Sequence, residues 1–145
     1  MRRTLAALVM MGLALGAMGC GGGKGAATTP EGTAKAFLAA VQAGDALGVA
    51  MLYDYVESAQ GQNENWGEIP KGQQDLILKK LAESAAVGMK ADMGKLAEQW
   101  KDGKVGTAQV NGETATVAVE TAQGSQTLKL VQRGEKWYIM GGVAG

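Results

Sequence analysis

The sequence predicts an α+β fold in which helices come first and an antiparallel sheet follows. Residues 104–142 alternate apolar and polar side chains between short glycine-bearing junctions, the pattern of a sheet with one dry face and one wet face. Residues 28–101 instead repeat apolar side chains every three or four positions, the pattern of amphipathic helices. A chain of 145 residues has room for one such domain.

The N-terminus comes before that domain. Met1-Arg2-Arg3 is cationic, and residues 4–18 form an apolar run of 15, too short for a span that needs about 20. The run ends in Ala17-Met18-Gly19-Cys20 and three glycines, which resembles the lipobox of bacterial lipoproteins. The resemblance implies cleavage before Cys20 and lipidation of that residue. Residues 1–19 are then a signal peptide, residues 20–27 a lipidated cysteine with a glycine-rich tether, and residues 28–145 the folded domain. Cleavage at an ordinary A-x-A-like site, leaving a free Cys20 thiol, is the other reading. Acyl chains contribute about 0.8 kcal/mol per buried methylene, so two or more hold a protein stably. The expected location is the bacterial cell envelope, lipid-anchored on the outer side of the cytoplasmic membrane or on the outer membrane.

Thr28-Thr29-Pro30-Glu31 reads as a helix start, with Thr28 and Glu31 as a capping box and Pro30 in the first turn. Ala34, Phe37, Leu38 and Val41 share one face of this first short helix. Gly44 ends it, and Asp45 caps a second that carries Val49, Leu52 and Val56 and fades near Ser58. Residues 59–68 are polar and read as a loop. Pro70 opens a long third helix with a stripe of Leu78, Leu81, Ala85, Met89, Met93, Leu96 and Trp100. Gly88 and Gly94 each weaken it by about 1 kcal/mol relative to alanine, so a bend or break is expected there. Four strands follow over residues 105–110, 113–121, 125–132 and 136–140, with Asn111-Gly112 as a type I′ hairpin turn. Their dry face carries Ala115, Val117, Val119, Leu128, Leu130, Trp137 and Ile139.

Pro30-Glu31 leading to Ala36-Phe37-Leu38 and Ala43-Gly44-Asp45 resembles the opening of small bacterial lipoproteins in the nuclear transport factor 2-like superfamily. The strand sequences Asn111-Gly112-Glu113-Thr114-Ala115-Thr116-Val117, Leu128-Lys129-Leu130-Val131 and Gly134-Glu135-Lys136-Trp137-Tyr138-Ile139 are similar to those of its lumazine-binding-like members. The resemblance covers nearly all of residues 28–140. It implies a sheet that wraps helices into a cone with room for a small ligand at its open end. Its motifs are structural and imply no particular activity.

Composition then removes functions. Without Arg2 and Arg3, 12 basic side chains face 14 acidic ones, so there is no electrostatic footprint for nucleic acid. The chain has no histidine, which excludes Ser-His-Asp and Cys-His nucleophiles. Zinc sets built from cysteine and histidine go with them, because the one cysteine is Cys20. No catalytic residue, metal or cofactor is expected. Tyr53-Asp54-Tyr55 is the one cluster comparable with a ketosteroid-isomerase site, where tyrosine and aspartate act together. On a helix successive side chains turn by about 100°, so these three are not expected to converge; one tyrosine belongs to the core and the other to the surface. Trp66 sits in a polar loop without periodicity, either as a lid over the core or as a ligand or partner contact. Trp66, Tyr53 and Tyr55 are the candidate contacts.

Three functions stay open, in this order. The first is a lipid-anchored, non-catalytic binding or interaction module. The second is a small-molecule binder using the cone interior. The third is an isomerase- or dehydratase-like enzyme. The expected partners are the membrane, through the N-terminal lipid, and a protein or small molecule. A filled interior argues against the last two functions, whereas an open pocket with an inward carboxylate restores the third.

Overall fold

The period-two segment folds as a four-stranded antiparallel meander: β1 (Lys104–Asn111), β2 (Thr114–Thr121), β3 (Gly124–Arg133) and β4 (Lys136–Ile139), in the order β1-β2-β3-β4. The structure, a computed structural model, describes residues 25–141. The signal-peptide expectation and Cys20 lie outside the described residues. Alternation places Ala115, Val117, Val119, Leu128 and Leu130 on the buried face. Asn111 pairs with Thr114, so the first turn is Gly112-Glu113, one residue later than expected. Gly112 takes φ 62° and Glu113 does not have positive φ, the glycine-first pattern of a type II′ turn rather than type I′.

Helices cover that buried face. α1 (Pro30–Gln42) is capped by Thr29 rather than Thr28: its Oγ1 accepts from Gly32 N–H at 3.1 Å, and Pro30 is the first helical residue. Glu31 does not complete a capping box. Instead its Oε1 accepts from Ala108 N–H at 3.0 Å, next to a bulge between Val105 and Ala108 of β1. A bulge frees strand N–H groups from the ladder, and Glu31 takes one of them. Hydrogen bonds from its own backbone and from Ala108 hold the Glu31 carboxyl below the usual carboxylate range.

Gly44, at φ 68°, ends α1, and Asp45 caps α2 (Ala46–Ala50) by accepting from Gly48 N–H at 2.9 Å. The second helix stops there, well short of Ser58. The chain lies beside β4 instead: Tyr53 forms a parallel bridge with Ile139. Ile139 N–H donates to Leu52 O at 2.7 Å, and Asp54 N–H donates to Ile139 O at 2.9 Å. These long-range bonds replace the helical ones. A separate α3 (Val56–Gln62) and a 3₁₀ turn at Trp66–Glu68 then order much of what reads as loop.

The long third helix breaks between its two glycines into α4 (Lys71–Met89) and α5 (Met93–Gln99). Its buried line keeps Met93 and Trp100 of the expected stripe but differs on α4. Ala82 and Ala86 are buried on α4, whereas Leu78, Leu81, Ala85 and Met89 are half-buried. Small side chains at the contact let α4 pack closely on α2. Phe37, Val41, Val49, Leu52, Val117 and Leu130 fill the space between helices and sheet at 0–1% exposure. Trp100 meets Phe37 edge-on at 5.0 Å between ring centroids. The N-terminal side is also built in. Trp137 N–H donates to Ala27 O at 2.9 Å, and Ala27 N–H donates to Thr33 Oγ1 at 3.0 Å, so Ala27 belongs to the fold rather than to a free tether.

Candidate functional site

The strand-like residues 52–54 put successive side chains on opposite sides. Tyr53 follows Ile139 inward, and Asp54 turns to the other side, toward the end of β3. There Asp54 Oδ2 accepts from Arg133 Nη2 at 2.8 Å and from Arg133 Nε at 3.3 Å. Its other oxygen accepts from Val56 N–H at 3.2 Å, at the start of α3. The Asp54 side chain is 9% exposed and that of Arg133 37%, so the pair is sheltered on the carboxylate side. The hydrogen bonds that Arg133 donates to Asp54 lead the effects that hold the guanidinium above its ordinary value.

The pair forms part of the wall of a cleft of about 400 Å³ at the β4 edge of the sheet. Tyr53, Asp54, Tyr55 and Val56 make one side, and Gln74, Asp75, Leu78 and Ala82 of α4 make another. The β3–β4 hairpin adds Arg133, Lys136 and Tyr138; the 3₁₀ turn adds Trp66; Gly25 and Ala26 close the N-terminal side. A second hollow of about 280 Å³ shares Tyr53, Asp54 and Tyr55 and continues to Glu57, Met89 and Met140. The cone interior is therefore not where the space lies. Core side chains fill it, and the cleft opens at the sheet edge.

The three tyrosines differ. Tyr53 is 4% exposed, and among the described residues its hydroxyl has no hydrogen-bond partner. Burial, and then the neighbouring Tyr55, push its phenol up. The Tyr55 hydroxyl donates to Ala50 O at 2.9 Å, and burial pushes it up to about 12. Tyr138 is raised by burial first, then by the carboxylates of Asp75 and Asp54. At neutral pH all three are therefore hydrogen-bond donors, not bases. Trp66 is half-buried, and its turn is clipped to α4 because Gln74 Nε2 donates to Trp66 O at 2.8 Å.

Tyr53, Tyr55 and Trp66 thus line one cleft. The expectation that the Tyr53-Asp54-Tyr55 cluster could not converge assumed a helix, and the bridge to Ile139 removes that premise. Sequence reading missed Arg133, placed in a turn, together with Lys71, Asp75 and Tyr138. One signal was available: Lys71, Gln74, Asp75 and Leu78 recur at helical spacing ahead of the apolar stripe. Four cations (Lys71, Lys79, Arg133 and Lys136) stand against two carboxylates (Asp54 and Asp75) around rings and aliphatic side chains. This arrangement suits binding of a polar head beside an apolar body. Among the described residues no group of acidic, cysteine or histidine side chains could hold a metal. No described helix is long and apolar enough to cross a membrane.

No protein-family model matches the sequence, and neither does any of the curated proteins compared with it. Among solved structures, the chain is similar to a Campylobacter jejuni crystal structure at 2.00 Å resolution, provisionally named an NTF2-like transpeptidase. Identity is 17%, coverage is 79% of this chain and 99% of that one, and the TM-score is 0.46. A likeness at that level carries no weight for chemistry, and the α+β fold stands on its own elements.

Proposed function

We propose that this chain is a lipid-anchored, non-catalytic binding protein of the bacterial envelope that takes a small molecule into the cleft beside β4. The observation that carries the binding role is the cleft itself, about 400 Å³, whose wall sets Tyr53, Tyr55, Trp66 and Tyr138 beside Arg133, Lys71 and Lys136. The cleft's volume falls within the roughly 300–1,000 Å³ of small-molecule sites, and its mix of rings with a few polar groups is theirs too. The filled interior argues against the cone-interior binder ranked second from sequence, so the reading proposed here is the first-ranked binding module with its site at the sheet edge.

Anchoring is supported by the run from Met1 to Cys20. The non-catalytic reading is supported by Asp54, where three of the carboxylate's roughly four acceptor sites are already taken by Arg133 and Val56 N–H, which leaves little of it to reach a substrate proton. The transpeptidase name of the C. jejuni neighbour is not extended to this chain, which has no histidine to activate a nucleophile.

Native mass spectrometry of the chain extracted from its own membranes tests both parts. The expected result is acyl chains on Cys20 and a bound molecule that is released intact and is absent from Leu78→Glu. Equal ligand-free masses for wild type and variant overturn binding; an unmodified Cys20 thiol overturns anchoring.

A further inference from the structure

The charge around the cleft is uneven in what it has left to offer. Asp54 is committed to Arg133 and Val56, whereas Lys71 and Lys136 are exposed and have no ion-pair partner among the described residues. Lys79 shares only a 3.9 Å contact with Glu83 on the open surface of α4. Asp75 is the one uncommitted carboxylate in the wall, and it is exposed. α4 also begins here: Pro70 precedes Lys71, no side chain caps the helix, and its first N–H groups add partial positive charge. Behind this rim the wall turns apolar, with Val56, Leu78 and Ala82 beside the ring of Trp66.

We propose that the cleft selects an acidic amphiphile: a molecule whose carboxylate or phosphate head meets Lys71 and Lys136 while its apolar body enters between α4 and Tyr53. This rests on the binding function proposed above. The placement of the cleft fits such a ligand. Gly25 and Ala26 line it and Ala27 is bonded into the fold, so only four residues, five Cα–Cα steps, separate the wall from Cys20. At about 3.6 Å per residue, that chain reaches at most roughly 18 Å. With Cys20 acylated, the cleft stays close to the headgroups, where both bilayer lipids and free fatty acids are found.

The mature full chain, labelled with fluorotryptophan and held by its own lipid in phosphatidylcholine nanodiscs, provides the test by fluorine NMR. Trp66 is assigned with Trp66→Phe, while Trp100 and Trp137 report on the core. Decanoate is expected to shift the Trp66 signal saturably and to bind about tenfold more tightly than decanol, a difference of about 1.4 kcal/mol. Lys71→Gln with Lys136→Gln should remove that preference while the two core signals stay in place. Equal affinities for decanoate and decanol overturn the acidic head and leave the binding cleft standing. A Trp66 signal that ignores both overturns the cleft as a binding site as well. Adding phosphatidylglycerol to the discs separates the sources. A Trp66 shift that decanoate reverses assigns the head to a bilayer lipid, and decanoate binding without any such shift assigns it to a free acid.

Discussion

Thr33 and Tyr53 both bury a hydroxyl, one in the interior and one at the β4 edge. Thr33 is fully buried; its Oγ1 donates to Trp137 O at 2.8 Å and accepts from Ala27 N–H. Tyr53 is almost as buried, and its hydroxyl has no partner among the described residues. The interior has one open group of its own, the Trp100 indole N–H, but that ring is held by Phe37 and does not line the cleft. The difference teaches what a buried hydroxyl does for the fold when it is paired and when it is not. The interior settles its hydroxyl to join α1, β4 and the N-terminal segment, while the edge keeps one in reserve beside a hollow.

Phe37→Ala should give the largest loss and break the interior. The ring is fully buried against Trp100, and such a truncation costs about 3–5 kcal/mol. Urea denaturation measures it, and a loss under about 1 kcal/mol would mean that this region is not the core. Thr33→Val comes next. It strands Trp137 O and Ala27 N–H and should cost about 1–3 kcal/mol in the same assay. Tyr53→Phe should do the opposite, leaving stability equal or raising it by up to about 1 kcal/mol, because it removes a group without a partner. A loss as large as that of Thr33→Val would erase the contrast between the two hydroxyls.

Alkali sharpens the same point. The folded chain holds the Tyr55 proton up to about 12, against an ordinary value near 10. The stability it contributes is therefore fully present below about pH 10 and is lost as pH rises toward about 12. The urea midpoint should fall across that window, and Tyr55→Phe should lessen the fall without removing the share of Tyr53 and Tyr138. A midpoint independent of pH there would mean that the phenol is not buried. The smallest effect belongs to Lys79→Ala, which removes an exposed i,i+4 contact at 3.9 Å and should change stability by no more than about 0.5 kcal/mol.

The sheet was legible because its information is local: β2, β3 and β4 each show their own alternation, and glycine marks the junctions. Asp45 as a cap and the break between Gly88 and Gly94 were legible for the same reason. The edge was not. Val49, Leu52 and Val56 fit a helix by spacing, and nothing nearby shows that Ile139, more than eighty positions later, offers Leu52 and Asp54 better partners. The Tyr-Asp-Tyr-Val run does carry the aromatic and β-branched residues that strands favour, a signal the helical spacing masked. Glu31 misled in the same way, since its real partner, Ala108, sits across the fold. The stripe on α4 shifted to Ala82 and Ala86 because close approach to α2 favoured small side chains over long ones.

Ala27 gives the leash a particular mechanics. A pull on the upstream segment does not unravel a slack end; it loads the bond to Trp137, in the middle of a four-residue border strand. That strand also grips residues 52–54, the back wall of the hollow. Under the anchoring and binding proposed above, tension on that segment and the shape of the cleft are coupled through β4.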